Sequence, residues 1–143
     1  RARAQNVPMK AWSRLQKGET LELDGVTYTP DMVLGPDRKG LKVTSCTDTR
    51  PVPVIAEYAE HADLFICEGM DGEDGKEAKA REYKHMTMYE AANLAKKAQP
   101  AEMWLTHYNP SLNRPDEFID KVREIFPGAT TARDGWTREL TFE

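Results

Sequence analysis

Apolar and polar residues alternate through 19–28 (ETLELDGVTY), on either side of Asp24-Gly25. An Asp-Gly pair between alternating arms predicts a hairpin. Residues 30–40 follow as a loop of Gly, Pro and charge. The β-branched run 41–47 (LKVTSCT) predicts a strand, and 51–60 a helix with proline in its first turn. The short continuous apolar run 63–67 (DLFIC) predicts a fully buried strand. A glycine-rich acidic loop, 68–75, comes next, followed by a polar helix-forming stretch, 76–83. Thr87 with Glu90 three residues later has the capping-box spacing and opens a helix to about residue 98. Residues 103–106 (MWLT) predict another buried strand. Phe118, Ile119, Val122, Ile125 and Phe126 recur at helical spacing within 115–126, and Pro127-Gly128 ends that helix. Two short strands, 129–133 and 138–142, are expected around a turn at Asp134-Gly135. Strands alternating with helices imply βαβ units and a largely parallel sheet. The expected class is therefore α/β, with a hairpin added at the N-terminus.

Composition narrows this picture. The 143 residues fit one domain, and 39% apolar with 31% charged is a soluble, globular balance. A net charge of −4 excludes a generally basic nucleic-acid surface, so any RNA contact must be local or lie outside this chain. No apolar run is long enough to span a bilayer, and nothing resembles a secretory leader. Cys46 and Cys67 lack C-x-x-C spacing and each ends an apolar run. They are expected to be reduced core thiols of a cytoplasmic protein. The opening Arg1-Ala2-Arg3, without an initiator Met, suggests a piece of something longer.

Candidate chemistry gathers where the predicted strands end. Asp48 follows 41–47, Glu68 follows 63–67 and His107 follows 103–106. In a parallel sheet these ends share one rim, where open α/β folds bind ligands. His85 lies just before the capped helix, whose N-terminus would attract an anion such as phosphate. An Asp, a Glu and two His converging on one rim is the inventory of a metal or acid–base site. Each has an ordinary reading when taken singly. Asp48 in Asp48-Thr49-Arg50-Pro51 reads more readily as a helix cap, and Glu68 as a solvated loop carboxylate. His85 divides evenly between a surface histidine and a ligand. His107, directly after an apolar strand, competes well as a ligand. His61, at the end of the helix 51–60, reads as a partner of the helix dipole.

At these residues the sequence resembles ribonuclease Z, of the metallo-β-lactamase superfamily. The resemblance is carried by Asp48-Thr49-Arg50-Pro51, by Cys67-Glu68-Gly69-Met70 and by His85-Met86-Thr87 with Glu90-Ala91-Ala92. Leu105-Thr106-His107-Tyr108-Asn109-Pro110, Ile125-Phe126-Pro127 and Asp134-Gly135 continue it. It extends upstream through Leu15 to Glu19 and Leu34-Gly35-Pro36, so it covers nearly the whole chain. The family has Gly at 47, His at 67 and Ala-Thr at 69–70; this chain has Thr, Cys and Gly-Met.

The resemblance implies a metallo-β-lactamase-like αββα sandwich, of which residues 1–143 would be the C-terminal half, a mixed sheet flanked by helices. It implies an endoribonuclease that trims the 3′ end of precursor tRNA with two divalent ions, zinc by expectation. Asp48 would bridge the metals and His107 would bind one of them. His85 would contact the scissile phosphate or give a proton to the leaving oxygen, and Glu68 would orient or charge-tune His85. The family's H-x-H-x-D-H motif is absent from this sequence. The isolated chain is therefore expected to be inactive, to bind zinc weakly, and to present a sheet face that the missing N-terminal half or a homodimer partner would cover. Two other readings stand beside this one: another hydrolase of the same fold, such as a phosphodiesterase or arylsulfatase-like enzyme, and a non-catalytic dimerisation module.

Overall fold

The computed structural model describes residues 1–142, which divide into two compact units, residues 1–39 and 40–142. In the first unit, Met9–Gln16 forms α1, and Ala11 and Leu15, four apart, bury the same helix face. This helix was not expected from the sequence; Pro8 masks its start, although proline suits a helix boundary. Leu21–Leu23 (β1) and Val26–Tyr28 (β2) form the expected antiparallel hairpin. Asp24 and Gly25, at φ 51° and 74°, supply the two left-handed residues such a tight turn needs. Val7, Ala11, Leu15 and Leu21 make a small core of this unit's own.

The second unit carries a four-stranded sheet. Its strands are Val43–Cys46 (β3), Leu64–Glu68 (β4), Glu102–Thr106 (β5) and Ala129–Thr131 (β6). They lie in the order β3-β4-β5-β6 and every neighbouring pair is parallel. The hairpin forms a separate two-stranded sheet, so the main sheet is wholly parallel rather than mixed. The crossovers are Pro53–Ala59 (α2), then Glu77–Glu82 (α3) with Met88–Ala98 (α4), then Ile119–Ile125 (α5). Helix α4 starts where its capping box predicts: Thr87 accepts from the Glu90 backbone N–H while the Glu90 carboxylate accepts from that of Thr87.

The period-2 alternation of the strands separates two faces. Phe65, Cys67, Met103, Leu105 and Ala129 point into the main core, where they meet Ala91, Ala92 and Ala95 of α4, with Ile55 of α2 and Val122 of α5. The alanines of α4 let the helix sit close to the sheet. Met86 and Met88 fill the gap at its N-terminus, and burying a side chain of that size contributes about 1.5–3 kcal/mol. The other face presents the register row Ser45, Ile66, Trp104 and Thr130, none of which joins that core.

No strand forms over 138–142, contrary to expectation. Asp134-Gly135 turns as the sequence suggests, with the Trp136 N–H donating to the Arg133 carbonyl. The segment after the turn is then held by side chains. Trp136 packs edge-on against Trp104, ring centroids 5.9 Å apart, and Arg138 pairs with Glu102. Anchoring on β5 through side chains takes the place of main-chain pairing beside β6. Among the described residues, no helix is long and apolar enough to cross a membrane.

Candidate metal centre

All four residues singled out in the sequence meet at the C-terminal rim of the parallel sheet. Asp48 lies two residues past β3, Glu68 ends β4, His107 follows β5, and His85 stands two residues before the α4 cap. His61 is not among them: its backbone N–H donates to the Ala98 carbonyl, tying the end of α2 to the end of α4.

Glu68 is buried completely, which overturns its reading as a solvated loop group. One carboxylate oxygen accepts from the Thr49 backbone N–H, and the other from the Met86 backbone N–H at 3.2 Å and from His85 Nδ1 at 3.0 Å. Such multiple donation is what a buried carboxylate requires. The first part of the loop that follows, residues 69–72, is buried as well. A Cβ on Gly69 would lie 2.9 Å from Leu105 Cδ2 and 3.0 Å from Met88 Cγ, so glycine lets α4 begin tight against the end of β4.

His85 is gripped on three sides. Its N–H donates to the Ala80 carbonyl, its own carbonyl accepts from Arg50 Nη1, and Nδ1 faces Glu68. A carboxylate can only accept, so Nδ1 carries the proton and Nε2 turns toward Asp48. Arg50 is a functional neighbour to which the sequence reading assigned no role; the signal was its place in the Asp-Thr-Arg motif. Its guanidinium also forks onto both oxygens of Glu90, the capping-box residue. Burial pushes the Glu90 carboxyl up, but hydrogen bonds from Arg50 and Thr87 outweigh it and hold the group below the usual carboxylate range.

Asp48 is the opposite of Glu68. Its side chain is 69% exposed, with Oδ1 3.7 Å from His85 Nε2 and Oδ2 3.4 Å from His107 Nε2. Each oxygen therefore faces a different imidazole, and the two rings lie 5.2 Å apart. One donor atom each from Asp48, His85 and His107 falls within 4.8 Å of the others. Ligands on a tetrahedral zinc at about 2.0–2.1 Å stand about 3.3 Å from one another. A carboxylate and two imidazoles, with donor atoms up to 4.8 Å apart, could hold a divalent ion once the side chains draw in to that spacing. Asp48 and His107 also hold left-handed backbone, φ 53° and 55°. Asp and His tolerate that conformation better than most residues, and its cost concentrates at functional sites. Beside His107, on the open sheet face, Trp104, Trp136, Ile66 and Arg133 line a hollow of about 400 Å³.

The parallel βαβ sheet that carries this rim has the metallo-β-lactamase fold. Two solved structures share it: the metallo-β-lactamase fold protein YhfI from Bacillus subtilis (TM-score 0.57, 25% identity, 66% of this chain and 38% of that one) and the short form of human tRNase Z (TM-score 0.52, 26% identity, 66% and 32%). Within that class the sequence matches the C-terminal half of ribonuclease Z. It is 59% identical to the ribonuclease Z of Lachnospira eligens over 100% of this chain and 47% of that protein. It is 45% identical to that of Clostridium acetobutylicum over 100% and 46%. The chain thus spans about half the length of the curated relatives it matches. No protein-family model matches it.

Proposed function

We propose that this chain supplies one half of the metal site of a zinc-dependent endoribonuclease that processes the 3′ end of precursor tRNA. The observation that carries the reading is Asp48 placed between two imidazoles, one carboxylate oxygen toward each. Asp48 and His107 hold the metal, Asp48 offering two oxygens and so able to bridge a pair of ions. Bound divalent ions would supply hydroxide at neutral pH and charge stabilisation for the phosphodiester oxygens. His85 is held by Glu68 through Nδ1 with Nε2 directed to the rim, where, with Nε2 protonated as well, it contacts the scissile phosphate or gives that second proton to the leaving oxygen. Glu68 acts through His85, fixing the ring and its tautomer. The open sheet face is where the remaining half of the fold, or a second copy, would pack.

The test is complementation. The chain is combined with the other half of a ribonuclease Z relative, carrying the H-x-H-x-D-H motif. Precursor tRNA with a 3′ trailer is then compared with an unstructured phosphodiester. Expected are no cleavage by the chain alone, trailer removal by the pair, and loss of that activity on Asp48→Ala or His85→Ala. Equal rates on both substrates would instead favour a general phosphodiesterase of this fold. Activity indifferent to both substitutions would reduce the chain to an interaction module.

A further inference from the structure

Directly beneath the rim lie two thiols that the metal cluster does not use. Cys46 ends β3 and Cys67 is the penultimate residue of β4; they are register partners in the parallel ladder. Their sulfurs are 3.4 Å apart and both are free. Cys67 is buried in the core, while Cys46 is only partly buried, so Cys46 is the more accessible thiol of the pair. Neighbouring strands run about 4.8 Å apart. That is inside the roughly 4.4–6.8 Å between α-carbons that a disulfide accepts. A bond between the sulfurs closes their gap from 3.4 Å to about 2.05 Å, across strands already at a spacing a disulfide can span.

We propose that Cys46 and Cys67 are a modification site: a dithiol that a peroxide converts, within the folded chain, to an intrachain disulfide. The Cys46 sulfur attacks one peroxide oxygen, the O–O bond breaks, and water leaves behind a sulfenic acid. The Cys67 sulfur then attacks that of Cys46. The S–S bond forms, the S–O bond breaks, and the departing hydroxyl takes the Cys67 proton as a second water. Two thiols are oxidised and one peroxide is reduced to two waters. The bond would lie two residues from Asp48 and next to Glu68, tying β3 to β4 at the base of the cluster. Nothing in this depends on which metal the cluster takes.

The test treats the full chain, native and metal-free, with hydrogen peroxide. The reaction is quenched with catalase, and the chain is unfolded in an alkylating agent for mass analysis. Expected are loss of two hydrogens' mass, no alkylation, a peptide joining Cys46 to Cys67, and full reversal by dithiothreitol. Cys67→Ser should gain oxygen at Cys46 instead, while Cys46→Ser should leave Cys67 unmodified. Wild-type chain that accumulates sulfinic acid at Cys46 beside a free Cys67 would overturn the proposal. So would a disulfide formed between chains, or one that forms as fast in urea as in the native fold.

Discussion

The ends of β3 and β4 lie side by side and treat their carboxylates in opposite ways. Glu68 is wholly buried and accepts from two backbone N–H groups and an imidazole. Asp48 is mostly exposed, approaches the two imidazoles only at 3.4 and 3.7 Å, and sits in left-handed backbone. The difference teaches which carboxylate serves the fold and which is kept free for a ligand. The largest effect should therefore fall on Glu68. Replacing it by Ala leaves the Thr49 and Met86 N–H groups without a partner in the interior, and stability should drop by about 2–4 kcal/mol. Asp48→Ala should change stability by about 0.5 kcal/mol or less. Urea unfolding of the two variants measures this directly, and equal losses would break the contrast.

Metal binding should invert the order. With a competing chelator, Asp48→Ala and His107→Ala should each weaken zinc binding by about tenfold or more, equivalent to about 1.4 kcal/mol. His85→Ala should weaken it less, because that ring is assigned to the phosphate and the proton. A loss in His85→Ala as large as in His107→Ala would make His85 the third ligand. That would fit its carboxylate-held ring and extend the contrast, with Glu68 then supporting a ligand from behind.

Much of this arrangement was legible in the residues. The hairpin at Asp24-Gly25, the Thr87–Glu90 cap and the strand ends at Asp48, Glu68 and His107 all rest on local signals that tertiary contacts left in place. What could not be read was burial. Glu68 follows an apolar strand and opens an acidic loop, so the sequence alone makes it look solvated. Only the approach of Thr49 and Met86 from distant segments encloses it. The segment 138–142 failed for the same reason: its pattern suits a strand, yet Trp104 and Glu102, remote in sequence, hold its neighbourhood by side chains. Helix α1 was hidden behind Pro8, where a helix start looks like a break.

Between the two carboxylate environments stands Arg50, which donates to the His85 carbonyl and forks onto Glu90. Its removal should cost about 1–2 kcal/mol, in the range of hydrogen bonds to charged groups. The effect should be smaller than for Glu68→Ala, since Arg50 and Glu90 keep some contact with water, at 25% and 21% side-chain exposure.

The smallest effect, and the most specific, is in the acid range. The folded chain holds the Glu90 carboxyl below its ordinary value of 4.5, so the native state takes up that proton less readily than the unfolded state. The stabilisation is complete above that value and is lost as pH falls through the depressed one. Glu90→Gln keeps an oxygen for the cap but has no charge to lose. The difference in unfolding free energy between wild type and Glu90→Gln should thus be constant near neutrality and shrink steadily on acidification. Other carboxylates titrate in both proteins and cancel in the difference. A gap that stays constant down to the acid transition would mean that Arg50 holds His85 by geometry alone, with no electrostatic contribution from Glu90.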